Sequence, residues 1–336
     1  MIHVLPITSW DTTCGIAEYA KHLREALANH PEVFIQTPDP RDLDPIHFFS
    51  TTRKFPQVVW LNYHAGLHSR WTASEVRALQ AQGIRVVVTF HDTVATGQMA
   101  RCHELAAVAD YFIIHEPAED LPQALVLRQG IPDTPGVHRT WLRNSARPIL
   151  GTVGFNFPWK NYDRLAQITA DAGWQLLIIS PNAQASDVMR WEALNPRIEV
   201  VTGFEPSSMV VGRLLDCDAT AFLYECANTG TSGAIRQGIA ALKPVYAMRR
   251  CRQFRDLYRA ERAEECVSLI RWVDSLDEFR IRLKTDPIVA TDPGMVYLSV
   301  RDSWRRQASV YAEVFQAVSA GAPAEVPGGP ARADPT

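Results

Sequence analysis

The stretch that decides the fold is residues 219–245, ATAFLYECANTGTSGAIRQGIAALKPV. Residues 219–223 are a short run of the kind that forms a buried parallel strand, and they carry Tyr224 and Glu225 to its C-terminal end, placing a carboxylate at a strand mouth. Asn228-Thr229-Gly230-Thr231-Ser232-Gly233 follows. Its glycines permit close backbone approach, and its Thr and Ser are residues that cap a helix. Ile235, Ile239 and Leu242 then recur at helical spacing, a core-facing stripe that ends before Pro244. Strand, small-residue loop and helix N-terminus together form an anion site, because backbone N–H groups and the helix dipole point at whatever fills the loop; phosphate suits them best.

Working outward, a chain of 336 residues is too long for one average domain, so two of comparable size are expected. The formal charge of −3 gives no global electrostatic reason to bind nucleic acid. Arg139, Arg143 and Arg147 form a local basic patch that could touch anionic lipid headgroups, so peripheral membrane contact stays open. The N-terminus MIHVLPITSW reads as a strand rather than a signal peptide, which makes a cytoplasmic protein the expectation. Cys14, Cys102, Cys217, Cys226, Cys251 and Cys266 show no zinc-like spacing and read as reduced thiols.

In order along the chain, Ile2–Ile7 is a strand, then a small-residue loop ending in Cys14-Gly15, then a helix with Ile16, Ala20, Leu23 and Leu27 on one face. Strands are predicted over residues 33–37, 58–63 and 84–90; the last, IRVVVTF, is largely apolar and β-branched and delivers His91 and Asp92 to a strand end. Residues 111–115 repeat the design. This alternation predicts a doubly wound parallel sheet. The Pro-, Gly- and Arg-rich stretch 130–148 marks the domain boundary. Beyond it a second series of strands and helices begins at Ile149, with a helix predicted over 160–172. The expected domains are 1–140 and 148–300, with a long helix over 302–318 packing back on the first. Residues 320–336 are poor in bulky apolar side chains and are expected to be disordered.

Cys14-Gly15-Ile16-Ala17, His91-Asp92, GTVGFNFPWKN (151–161) and the segment from Glu225 to Pro244, met in this order, resemble the retaining GT-B glycosyltransferases, the family that contains bacterial mannosyltransferases and sucrose synthases. The resemblance spans almost the whole chain. It implies an α/β protein of two Rossmann-like domains facing a central cleft, an N-terminal acceptor domain and a C-terminal donor domain. It further implies transfer of a sugar from a UDP- or GDP-sugar to a glycan or lipid-linked acceptor hydroxyl, with retention, without a metal or other resident cofactor, in bacterial polysaccharide, glycolipid or glycoconjugate synthesis. Lys160, Asn161 and the loop residues Thr229, Gly230, Thr231, Ser232 and Gly233 would meet the diphosphate, with Gly15 at the cleft. His91 and Glu225 would meet the sugar, and Trp304 would start the returning helix.

Two departures stand out. Phe155-Asn156-Phe157-Pro158-Trp159 occupies the interval where an Arg usually precedes the Lys, so one phosphate-pairing charge is missing or comes from elsewhere, with Arg236 a candidate. Gln237 falls where the second motif Glu, which usually holds the ribose, would be; an amide still bonds a hydroxyl, without charge assistance. Asp216-Cys217-Asp218 spells a D-x-D, but lies between a helix and a strand and reads as structural. His64, Trp10 and Asp11 are candidates for the acceptor side. A sugar-nucleotide epimerase on the same architecture, or a non-catalytic nucleotide-sugar-binding subunit, remains as an alternative reading.

Overall fold

The computed structural model describes residues 1–10, 14–51, 56–91, 99–118, 121–135, 147–225, 231–263 and 269–321. Asp11, Asp92, Asn228, Thr229, Gly230, the arginines 139 and 143, Cys226, Cys266 and the tail beyond 321 lie outside them.

The chain divides into two compact units, Met1–Gly130 with the segment from Trp304 onward, and Ile131–Ser303. In the first, β1 (Ile2–Ile7), α1 (Gly15–Leu27), β2 (Val33–Ile35), α2 (Pro45–Ser50), β3 (Val58–Tyr63), α3 (Ala73–Gln80), β4 (Arg85–Phe90), α4 (Met99–Ala106), β5 (Tyr111–Ile114) and β6 (Leu125–Val126) follow one another. The strands form one parallel sheet in the order β2-β1-β3-β4-β5-β6. Both faces are covered, and the two-residue period of a strand divides the apolar side chains between them. Val58, Trp60, Val87 and Ile113 join one core with Leu23 of α1, while Val59, Leu61, Val86 and Val88 join another with Val76 and Leu79 of α3.

The second unit runs β7 (Ile149–Val153), α5 (Tyr162–Ala172), β8 (Gln175–Ile179), α6 (Ala185–Leu194), β9 (Ile198–Val201), α7 (Ser207–Leu215), β10 (Ala219–Phe222), α8 (Gly233–Ala240), β11 (Val245–Met248), α9 (Arg255–Ala263), β12 (Arg271–Val273), α10 (Leu276–Thr285) and α11 (Pro293–Arg301). Its sheet is again parallel, in the order β12-β11-β10-β7-β8-β9. The order reverses direction at β7, so the loops after β7 and β10 lie beside each other at the carboxyl edge, where ligands of such sheets bind. The unit takes in Ile131 and Thr134, whose hydroxyl donates to the Ala240 carbonyl at 2.7 Å. The change of unit therefore comes at the start of the Pro/Gly-rich stretch rather than within it.

The last helix, α12 (Trp304–Ser319), belongs to the first unit. It begins two residues later than the sequence predicts, because Arg301 and Asp302 close α11 with a buried ion pair. Trp304 lies on Gly130, where any Cβ would run into its ring. Tyr311 reaches the β-sheet, its hydroxyl 2.7 Å from Thr89 Oγ1 and 2.9 Å from the Tyr19 hydroxyl. Trp60 Nε1 donates to the same Thr89 oxygen at 2.9 Å, so these buried polar atoms satisfy one another. Among the described residues no helix is long and apolar enough to cross a membrane.

Candidate active site

In the second unit β7 ends at Val153, and Gly154 turns the chain with φ +134°, a conformation open to glycine. A Cβ at this position would collide with the Lys160 ammonium. Two tyrosines fix the turn from below, Tyr162 donating to the Gly154 carbonyl at 2.9 Å and Tyr224 to that of Val153 at 3.0 Å. Lys160 ends a short 3-10 turn, Pro158–Lys160, rather than starting the helix predicted from residue 160, and α5 begins at Tyr162. The Lys160 side chain is folded inward, 7 % exposed, with Nζ 4.6 Å from the centre of the Tyr224 ring. The aromatic face supports the cation without consuming its hydrogen-bonding protons. Outside this turn Phe157 stacks on Trp159, centroids 4.5 Å apart and planes within 11°.

The loops after β7 and β10 are joined by two bonds. Asn161, in the left-handed conformation at φ 58°, donates its amide to the Leu223 carbonyl at 2.8 Å, and the Glu225 N–H donates to the Trp159 carbonyl at 2.8 Å. Lys160 and Glu225, 65 positions apart in sequence, are thereby held on adjoining loops of one edge. Glu225 is exposed there.

Asn161 and Ser232 precede α5 and α8 and are residue types that cap well, yet neither makes a side-chain capping bond. Cys14, Thr72, Ser275 and Asp292 do cap the helices they precede. Asn161 has turned its amide to β10; Ser232 is buried, with its N–H directed at the Gln253 carbonyl at 3.3 Å. Gly233, the first residue of α8, is exposed, and Thr231 is half-buried beside it.

Arg236 does not supply the missing phosphate-pairing charge. It is 1 % exposed, donates Nη1 to the Ser232 carbonyl at 2.9 Å, and pairs through Nη2 with Asp256 of α9, itself buried. Burial raises the Asp256 carboxyl above its ordinary value, and Arg236 acts against that rise. Gln237 is half-buried and donates Nε2 to Ser207 Oγ at the start of α7 at 3.0 Å. Asp218 of the D-x-D accepts from the Ile149 N–H at 2.8 Å and anchors the start of β7. That is a structural duty.

The first unit gathers histidines at the carboxyl ends of β3, β4 and β5. His91 is buried, with Nε2 2.6 Å from Asn62 Oδ1 and Nδ1 3.1 Å from Nε2 of His115. Both ring nitrogens thus meet protein groups, which the reading of His91 as a sugar contact did not foresee. His115 Nδ1 lies 2.7 Å from the Leu127 carbonyl, and the Tyr19 ring packs edge-on against His91 at 4.7 Å. Desolvation, then the neighbouring His115, His64 and His68, hold His91 well below the usual histidine range. His68, missed from sequence, is buried between the His64 backbone and the Ile7 carbonyl, and burial pushes its pKa down to about 4. His64 is half-buried, its Nδ1 accepting from the Gly66 N–H at 3.2 Å. Gly15 opens α1 with nothing within 4 Å of where a Cβ would stand, and Cys14 caps that helix, its sulfur accepting from the Ala17 N–H at 3.3 Å. Trp10 is half-buried, with the Lys21 ammonium 5.8 Å and the Arg24 guanidinium 5.6 Å from the centre of its ring.

Two parallel six-stranded sheets, each wound by helices, are the architecture of the GT-B glycosyltransferases. HepE of Anabaena, solved with UDP and glucose, aligns over 94% of this chain and 100% of its own, with a TM-score of 0.65 and 14% sequence identity. AviGT4, a glycosyltransferase involved in avilamycin A biosynthesis, aligns over 96% and 99%, at 0.58 and 15%. The α,α-trehalose 6-phosphate synthase of Burkholderia multivorans aligns over 95% and 99%, at 0.57 and 9%. No known sequence family matches the chain, and no curated protein sequence does.

Proposed function

We propose that this protein is a retaining glycosyltransferase that takes its sugar from a nucleotide-sugar donor, with a UDP-sugar the first choice. The observation that carries the reading is the joined edge of the second unit. A buried cation at Lys160, an exposed carboxylate at Glu225 and two helix N-termini without side-chain caps stand on adjoining loops. Departure of a nucleoside diphosphate leaves negative charge on the β-phosphate, and donors already in place stabilise it without reorganising. Lys160, Asn161 and the N–H groups of residues 229–233 take that task, without a metal ion. Glu225 accepts from hydroxyls of the transferred sugar, and Gln237 bonds the ribose. In the first unit, Gly15 and His91 are the residues we assign to the sugar and to a glycan or lipid-linked acceptor. HepE, solved with UDP-glucose as well as with UDP and glucose, supports the choice of base.

The test is a thermal-shift screen against UDP, GDP, ADP, CMP and dTDP. A ligand at about 100 times its Kd stabilises by about 2.7 kcal/mol. UDP-glucose turnover is then followed with and without acceptor sugars, and with chelator. Anomeric NMR of the product reads retention. Epimerised UDP-sugar formed without acceptor would replace transferase by epimerase, and absence of turnover with every donor bound would leave a binding subunit.

A further inference from the structure

We propose that the cavity between the loop after β7 and the heads of α5 and α6 is a saccharide site, which takes an uncharged glycan chain on the face of the second unit opposite α8. The inference does not rest on the donor reading. The cavity has a volume of about 530 Å³, within the roughly 300–1,000 Å³ of small-molecule sites, and its lining includes Asn156, Phe157, Asp163, Arg164, Asp187 and Arg190. From β7 the chain moves outward through β8 to β9, so right-handed crossovers put α5 and α6 on one face of the sheet. The step from β10 to β11 runs the other way and puts α8 on the opposite face.

The lining narrows the ligand by its charge. Two carboxylates and two guanidiniums face the cavity and its other groups are uncharged, so the formal charges cancel and neither a phosphate nor an amine gains a net attraction. Polar groups around the wall disfavour a lipid tail. A sugar ring offers what remains, a C–H face for an aromatic ring and adjacent rim hydroxyls for planar amide, carboxylate and guanidinium groups. Phe157 is stacked on Trp159, centroids 4.5 Å apart and planes within 11°, which covers one of its faces, and 40 % of the residue stays exposed. Arg190 donates Nε to both Asp163 oxygens at 3.1 Å and Nη2 to Asp187 Oδ1 at 2.9 Å, while Trp191 Nε1 donates to Asp163 at 2.7 Å. The guanidinium is thereby fixed, with no bond from Nη1 to a described residue. Asn156 is held through its N–H, which donates to Asn182 Oδ1 at 2.5 Å. Groups already in place lose little side-chain entropy when a ligand arrives.

The experiment measures binding of glucose, maltohexaose, cellohexaose and mannohexaose by calorimetry with no nucleotide present, so its outcome is separate from that of the donor reading. At least one hexasaccharide binds the unaltered protein, at least tenfold more tightly than glucose and within about twofold when salt is raised tenfold. Phe157→Ser weakens that hexasaccharide at least tenfold, and Phe157→Tyr keeps it within about threefold, since the ring face is what is used. A second measurement needs no variant: the Arg190 Nε–H and Asn156 amide signals shift on titration with the hexasaccharide. Binding by none of the four sugars, an affinity that Phe157→Ser leaves unchanged, or unmoved Arg190 and Asn156 signals overturns the site. Glucose bound as tightly as every hexasaccharide overturns its assignment to a glycan chain, and tighter, salt-sensitive binding of a glucuronic acid oligosaccharide overturns its assignment to an uncharged one.

Discussion

His91 Nδ1 and His115 Nε2 lie 3.1 Å apart in the middle of a hydrogen-bonded row whose two ends are acceptors. At one end is Asn62 Oδ1; the same amide's nitrogen donates to the Ile16 carbonyl at 3.1 Å, which settles which atom is the oxygen. At the other end is the Leu127 carbonyl. Two neutral rings carry two protons, and both are needed at the ends, so lone pair faces lone pair between them. A third proton would complete the row, but burial and the histidines His64 and His68 hold it off until the medium is acid.

The expected result follows by nitrogen NMR of the imidazoles. Near neutral pH His91 carries its proton on Nε2 and His115 on Nδ1. His91 takes up a further proton only well below the ordinary 6.5. A His91 titration near that value would remove the row as drawn.

His68 makes the same sign of contribution to stability. Its folded pKa of about 4 lies below the ordinary 6.5, so the unfolded chain binds the proton first as pH falls. The stability it supports is complete above 6.5 and lost between 6.5 and about 4, on the order of 3 kcal/mol at about 1.4 kcal/mol per pH unit. Urea melts of His68→Gln and the unaltered protein should converge over that window. A gap that stays constant with pH would show that His68 does not titrate on unfolding.

Much of the fold could be read directly, because strands covered on both faces are largely apolar, and IRVVVTF and the run before Tyr224 are of that kind. Helices with few apolar side chains were harder. Residues 255–263, RDLYRAERA, offer only Leu257, Tyr258 and two alanines among charged side chains, and α9 was not foreseen, though it carries Asp256. Of the site, Lys160, Asn161 and Glu225 were visible as residue types at strand ends. Their partners were not. Arg236 looked like a phosphate ligand until Asp256, twenty positions on, was seen to occupy it, and the His91 nitrogens are taken by Asn62 and His115 from two other strands. Such pairings are set by sheet order, which local sequence does not encode.

Gly154 and Lys160 should behave as one unit. Lys160→Ala is expected to weaken UDP-sugar binding by about 1.5–3 kcal/mol, the range for a hydrogen bond to a charged group. Gly154→Ala places a methyl group where the ammonium lies and strains a residue at φ +134°, so it should reproduce most of that loss and also lower stability by about 1–3 kcal/mol. Calorimetry and urea melts read the two effects separately. Full donor affinity in Gly154→Ala would mean that the observed ammonium position is not the binding one.

Glu225 decides between transfer and mere binding. Its backbone is held by Trp159 while its side chain is exposed, so the carboxylate is placed without being committed to a protein partner in the core. If it accepts from the sugar's hydroxyls while the diphosphate leaves, those bonds strengthen as positive charge develops on the ring, and their worth appears in kcat. Glu225→Gln keeps the shape and removes the charge. It should lower kcat by roughly ten- to a hundredfold, about 1.4–2.7 kcal/mol, while KM for the donor changes less than threefold. A passive contact would shift KM alone, since ground state and transition state would lose it equally. Steady-state kinetics at saturating acceptor separate the two outcomes. Parental kcat in a folded Glu225→Gln protein would exclude the carboxylate from the chemistry and direct attention to Lys160 and the head of α8.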